Sequence, residues 1–201
     1  YVAWSNGLLD DAAIRRDIFV ESPLVHPSVM LRTEALRALG GYRDDGGPED
    51  YDLWLRAAAA GLHFSKLDAV LLAWRDGPAR LTRRDPRYAP ARFFERKRQA
   101  VLQGPLRQGG ATVIWGAGEI GKAWARALQG GGIAVAAFVE VDPRKLGQRI
   151  HGAPVVGLEA VAALPEGVWH LAAVGQKGAR ERIRGEALAR GISDRRLIAV
   201  A

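Results

Sequence analysis

The chain contains no cysteine. That removes disulfides and thiolate metal sites from consideration and agrees with a reducing, cytoplasmic compartment. No run approaches the ~18 apolar residues of a membrane span, and no leader pattern of basic, apolar and small residues opens the sequence. Lysine is scarce, 5 against 24 arginines, so the basic character is almost wholly guanidinium. What remains is an ordinary composition of 201 residues, 48% hydrophobic and 25% charged, enough to bury one medium core or two small ones. The net charge of +7 is unevenly placed: nine basic residues face three acidic ones between Arg75 and Arg98, an excess of +6 in one stretch. Such a cluster suits a diphosphate, an anionic membrane surface or a polyanionic glycan. A solvated arginine face explains it equally well. No recognisable nucleic-acid-binding fold surrounds it, so nucleic acid is not an expected partner.

Punctuation along the chain divides it in two. Residues 26–32 read as an apolar strand, followed by a helix capped by Thr33 and stopped by Gly40-Gly41. A second helix follows Pro48-Glu49-Asp50 and runs through Leu53, Trp54 and Leu55 to Gly61. Phe64 to Trp74 reads as extended, Arg75 to Pro90 as a charged loop, and Ala91 to Gln103 as a helix. Gly104-Pro105 and Gly109-Gly110 mark a junction. The expected domains are therefore 1–104 and 105–201.

The second domain opens with the β-branched run Ala111 to Trp115, then Gly116-Ala117-Gly118-Glu119-Ile120-Gly121, then helical spacing to Gln129. A second strand, Ile133 to Val139, ends at Glu140. This is a βαβ unit whose glycines stand where a phosphate-binding turn needs them: Gly116 for the tight turn, Gly118 for close backbone approach and Gly121 for helix packing. Glu140 stands where an acid meets a ribose diol. Val168–Val174, a helix from Gly178 to Arg190, and Leu197–Val200 continue the alternation, so a small parallel sheet is expected. Three readings of this domain stay open: a ligand-free packing or tethering module, which leads, a nucleotide or nucleotide-sugar site, and an NAD(P) site.

The order Pro23-Leu-Val-His26-Pro27-Ser28-Val29-Met30-Leu-Arg32, Gly40-Gly41-Tyr42-Arg43 and Pro48-Glu49-Asp50-Tyr51-Asp52-Leu53-Trp54-Leu55-Arg56 resembles the acceptor half of family 2 glycosyltransferases of the GT-A fold. The stretch Phe138 to Gly147 with Ile150 to Val156 resembles the Rossmann-like N-terminal domain of bacterial sugar-nucleotide acyltransferases. Together these imply an α/β chain in which the C-terminal half of a GT-A-like domain precedes a small Rossmann-like parallel-sheet domain. They also imply the C-terminal piece of a longer, bacterial hexosyltransferase of cell-surface polysaccharide synthesis, inactive alone and cytoplasmic or peripheral at the inner membrane face. A nucleotide-sugar donor and a glycan or lipid-linked acceptor are its implied partners. The resemblance makes Asp50 the general base that deprotonates the acceptor hydroxyl, with Glu49 beside it, and His26, Trp54, Arg75, Arg80, Arg83 and Arg84 as substrate contacts. A divalent Mn or Mg ion is implied only for the full-length protein, since no Asp-x-Asp region precedes the pair here. Asp50-Tyr51-Asp52 lies inside the helix start and is assigned no metal. Where family members carry Arg-x-His, this chain has Arg75 and Gly77, which loses a metal ligand. The plainer reading of Glu49 and Asp50 is a favourable acidic start to a helix.

Overall fold

The computed structural model describes residues 1–73, 75, 77 and 80–201. Trp74, Asp76, Pro78 and Ala79 lie outside the described residues, and with them the end of the expected 64–74 segment and part of the 75–90 loop. The chain divides into Tyr1–Ala100 and Val101–Ala201.

The first unit is built from helices: α1 (Val2–Asn6), α2 (Asp11–Asp17), α3 (Thr33–Ala38), α4 (Glu49–Ala59), α5 (Leu81–Arg84) and most of α6 (Pro90–Gln103). Its core gathers Leu8, Ile14, Ile18 and Leu24 around Tyr51, Leu53, Trp54 and Leu55 of α4. The acidic first turn of α4, with Glu49, Asp50 and Asp52, suits the positive end of its dipole. Beyond its last turn Gly61 takes φ +78°, the left-handed conformation that glycine adopts freely. Among the described residues this unit contains no strand. The strand expected at 26–32 is instead a single 3₁₀ turn, His26–Ser28, closed by Ser28 N–H on the carbonyl of Val25 at 2.8 Å. Pro27 has no N–H to give a ladder, and no described segment pairs with it. Met30, within the same stretch, is fully exposed. Residues 64–73 are likewise coil, in which Lys66 N–H reaches Leu9 O at 2.8 Å but no ladder forms, with Leu67, Val70 and Leu71 exposed. Apolar composition had suggested strands at both places, yet a strand exists only where another backbone completes its hydrogen bonds.

The second unit is a mixed α/β layer structure. Strands β1 (Ala111–Trp115), β2 (Ala134–Val139), β3 (Arg149–Ile150), β4 (Ala153–Val156), β5 (Trp169–Ala172) and β6 (Leu197–Ala199) form one sheet in the order β3-β4-β2-β1-β5-β6. All neighbours are parallel except β3 and β4, which form a hairpin turning at His151 (φ 50°) and Gly152 (φ 81°), as a two-residue loop requires. The helices α7 (Glu119–Gly130) and α8 (Ala179–Ala189) connect β1 to β2 and β5 to β6. Those two crossovers run in opposite directions across the sheet, so right-handed connections place their helices on opposite faces. The central strand β1 is accordingly buried from Thr112 to Trp115. Setting aside the hairpin strand β3, the order is that of a doubly wound Rossmann-like sheet, and its switch point lies between the carboxyl ends of β1 and β5.

Candidate functional site

At that switch point the first turn after β1 is held by the sheet itself. Gly116 N–H donates to Val139 O at 2.8 Å, and Ala173 N–H to Trp115 O at 2.9 Å. Gly116 has φ +106°, and a Cβ there would run into Val174 Cγ2 and the carbonyl of Ala173. Gly121, in the first turn of α7, leaves room for the carbonyl of Gly116, into which a Cβ would be driven. The fold alone thus demands glycine at 116 and 121. It does not demand glycine at 118. Gly118 has φ −89° and ψ −170°, ordinary extended backbone, and a Cβ there would meet nothing within 4 Å. As N-cap of α7 it offers no side-chain hydrogen bond, so the first-turn N–H groups of the helix point past it without an intrahelical acceptor.

Glu140 is brought to this turn, and its carboxylate is fully engaged. Oε1 accepts from the N–H groups of Val141 at 2.9 Å and Asp142 at 3.2 Å. Oε2 accepts from Ala117 N–H at 3.1 Å and from Lys145 Nζ at 2.9 Å. Partial burial pushes this carboxyl up, but the hydrogen bonds from Lys145, Val141, Ala117 and Asp142 outweigh it and leave Glu140 below the ordinary glutamate value. Nearby, Arg144 grips Asp142 through Nε at 3.0 Å and Nη2 at 2.8 Å and holds its carboxyl down at about 2. Sequence reasoning placed Glu140 at the site but missed Lys145, whose only signal was its position five residues on. It also missed that Ala173 and Val174 stand against Gly116.

In the first unit the structure gathers several of the expected site residues. Glu49 accepts the Tyr88 hydroxyl at 2.8 Å on both oxygens, and Tyr88 is pushed up to about 12 by burial and by that carboxylate. Burial raises the Asp50 carboxyl, and Glu49 beside it raises it further, against the Tyr51 N–H at 2.7 Å. His26 meets the Tyr42 hydroxyl at 2.9 Å and stands edge-on to Trp54, centroids 6.3 Å apart. Trp54 itself is wholly buried in the core. Arg75, Arg83 and Arg84 are exposed and Arg80 is half-buried. Asp52 is paired with Arg56 at 2.7 Å. Among the described residues no three His, Asp or Glu side chains gather as a metal-holding group, and no helix is long and apolar enough to cross a membrane.

No family model and no curated protein matches the chain. Matches among solved structures include the crystal structure of RSP in complex with β-NADH, 19% identical over 55% of this chain and 62% of that one, with a TM-score of 0.40. They include also RSP as a Rex-family repressor, 16% identical over 87% of this chain and 89% of that one, TM-score 0.41. A third holds RSP with β-NAD⁺ and operator DNA, 13% identical over 86% of each chain, TM-score 0.40. The chain spans less than two thirds of the first of these.

The first unit, which contains no strand among the described residues, corrects the glycosyltransferase reading. The segments that were to form the GT-A strands are turn and coil. The hexosyltransferase activity falls with it, as do the sugar-nucleotide acyltransferase likeness and the nucleotide-sugar, glycan, lipid-linked and membrane-surface partners. The exclusion of nucleic acid is withdrawn as well. The divalent ion has no support among the described residues.

Proposed function

We propose that the second unit binds a nucleotide of the NAD(P) class at the Gly116–Gly121 turn, with the helical first unit as its scaffold. The observation that carries this reading is Gly118. Neither its backbone conformation nor its packing calls for glycine, and the missing side chain leaves the backbone of this turn open to close approach by a ligand. The chemistry of the place says what approaches. A helix N-terminus with unsatisfied N–H groups and no capping side chain attracts an anion, and a phosphate satisfies both the dipole and the donors. A sheet of this order opens its crevice between β1 and β5, where a dinucleotide lies across the switch point with its pyrophosphate on the first turn.

Thermal denaturation of the chain with NAD⁺, NADH, NADP⁺ and AMP, each at about 100 times its dissociation constant, tests the reading. Binding there stabilises by about 2.7 kcal/mol. Gly118→Val should remove the shift, and Gly118→Ala, whose Cβ meets nothing within 4 Å, should weaken it with only the small loss of melting temperature that a poorer N-cap brings. A packing module whose glycines serve only the strand-to-helix turn would show no shift with any nucleotide.

A further inference from the structure

Resting on that reading, the surroundings of Glu140 bear on which dinucleotide the site takes. An acid at the end of β2 ordinarily accepts hydrogen bonds from the 2′- and 3′-hydroxyls of a ribose and repels a 2′-phosphate. A carboxylate has about four acceptor directions. Here the four are taken, by Val141, Asp142 and Ala117 N–H groups and by Lys145 Nζ, so no direction is left for a diol. The charge is cancelled as well. Lys145 lies 2.9 Å from Glu140 Oε2, and it is the solvent-facing partner of the pair, with 36% of its side chain exposed against 11% for the glutamate. A ligand arriving from solvent therefore meets the ammonium first. Glu140 occupies one of the three N–H groups that an ammonium carries, and the others suit phosphate oxygens. The next acid along, Asp142, is neutralised by the bidentate Arg144.

We propose that Lys145 is the residue that sets cofactor selectivity, screening Glu140 so that the site accepts the 2′-phosphorylated dinucleotide at least as well as the 2′-hydroxyl form. Isothermal titration of the whole chain with NADP⁺ and NAD⁺ reads this directly. The expected result is an NADP⁺ dissociation constant no weaker than that for NAD⁺, with the NADP⁺ value rising more steeply as salt is added, since the extra contact is ionic. Lys145→Met exposes an unscreened Glu140 and should move the ratio toward NAD⁺ by at least about tenfold, as expected for a like-charge contact, whereas Lys145→Arg should keep it. The inference is overturned if the wild-type chain binds NAD⁺ more tightly than NADP⁺, if both dinucleotides bind with equal salt dependence, or if a folded Lys145→Met variant leaves their ratio unchanged. Binding of neither dinucleotide would overturn the nucleotide reading itself and this inference with it. The salt comparison uses only the wild-type chain, so it decides even if the Met variant folds poorly.

Discussion

His170 shows how one buried side chain couples this fold to pH. It lies on β5, only 5% exposed, and its Nδ1 accepts the indole N–H of Trp115 at 3.1 Å, so the neutral ring carries its proton on Nε2. Burial pulls its pKa down from the ordinary 6.5 to about 4. Protonation therefore favours the unfolded chain, in which the ring titrates near its ordinary value. The contribution is present in full above about pH 6.5 and is lost as pH falls toward 4, by roughly 3 kcal/mol at most. Urea titrations of the wild type between pH 7 and 4.5 should show this loss, and His170→Gln, which keeps an acceptor for Trp115, should flatten that part of the profile. Gly121 makes a second case at the same scale. A methyl there collides with the carbonyl of Gly116, a backbone atom that cannot swing aside, so Gly121→Ala should destabilise by about 1–3 kcal/mol, as overpacking does. A melting temperature equal to wild type would mean the turn is more yielding than this packing implies. The pair Gly118→Val and Gly121→Ala thus separates the ligand role proposed for one glycine from the packing role of the other.

Among the elements, α4 organises the first unit through polar bonds as much as through its apolar face. Arg56, near its end, donates from Nε to Asp52 at 2.7 Å, from Nη1 to Leu39 O at 2.6 Å and from Nη2 to Gly41 O at 2.8 Å. It ties α4 to the carbonyls that α3 leaves open at its C-terminus. Arg56 and Asp52 are 15% and 9% exposed at their side chains, so this pair is shielded from water, unlike the surface pairs that contribute little. Arg56→Met should cost about 1–3 kcal/mol, because it leaves two carbonyls without their donor and Asp52 with only the Arg96 guanidinium, 3.9 Å away. Chemical denaturation checks the size of the loss. A change under 1 kcal/mol would show that the carbonyls find water instead. The helix boundaries were well legible in the sequence here, since Pro48-Glu49-Asp50 and Gly61 are local signals that act through the dipole and through left-handed backbone. The role of Arg56 was not, because its acceptors lie 15 and 17 residues away.

For the whole molecule, the proposed site sits in the second unit, and hydrogen exchange should show it. Saturating dinucleotide should slow exchange at Gly118 to Gly121 and around Glu140 to Gly147 and leave the amides of α2 and α4 unchanged. Protection centred on Glu49 and Asp50 instead would move the ligand to the first unit and sink the assignment.

The alternation of strand, glycine turn and helix from Ala111 to Glu140 could be read from the sequence alone. Each of those signals is local: β-branched runs, glycines at the turn and a helical period lie within a few residues of one another. The apolar stretches at 26–32 and 64–73 carry the same kind of local signal, but strands form only when a distant backbone supplies a ladder of hydrogen bonds, and among the described residues no ladder forms there. The site divides in the same way. Sequence placed Gly116, Gly118, Gly121 and Glu140 near one another, because a βαβ unit returns the end of β2 beside the end of β1. Only the tertiary structure decided that two of the glycines answer to Val174 and to a carbonyl across the turn, that the third answers to nothing within the protein, and that Lys145 covers the carboxylate. Those distinctions depend on which atoms share a few ångströms of space after the chain has folded, and spacing along the chain does not encode that.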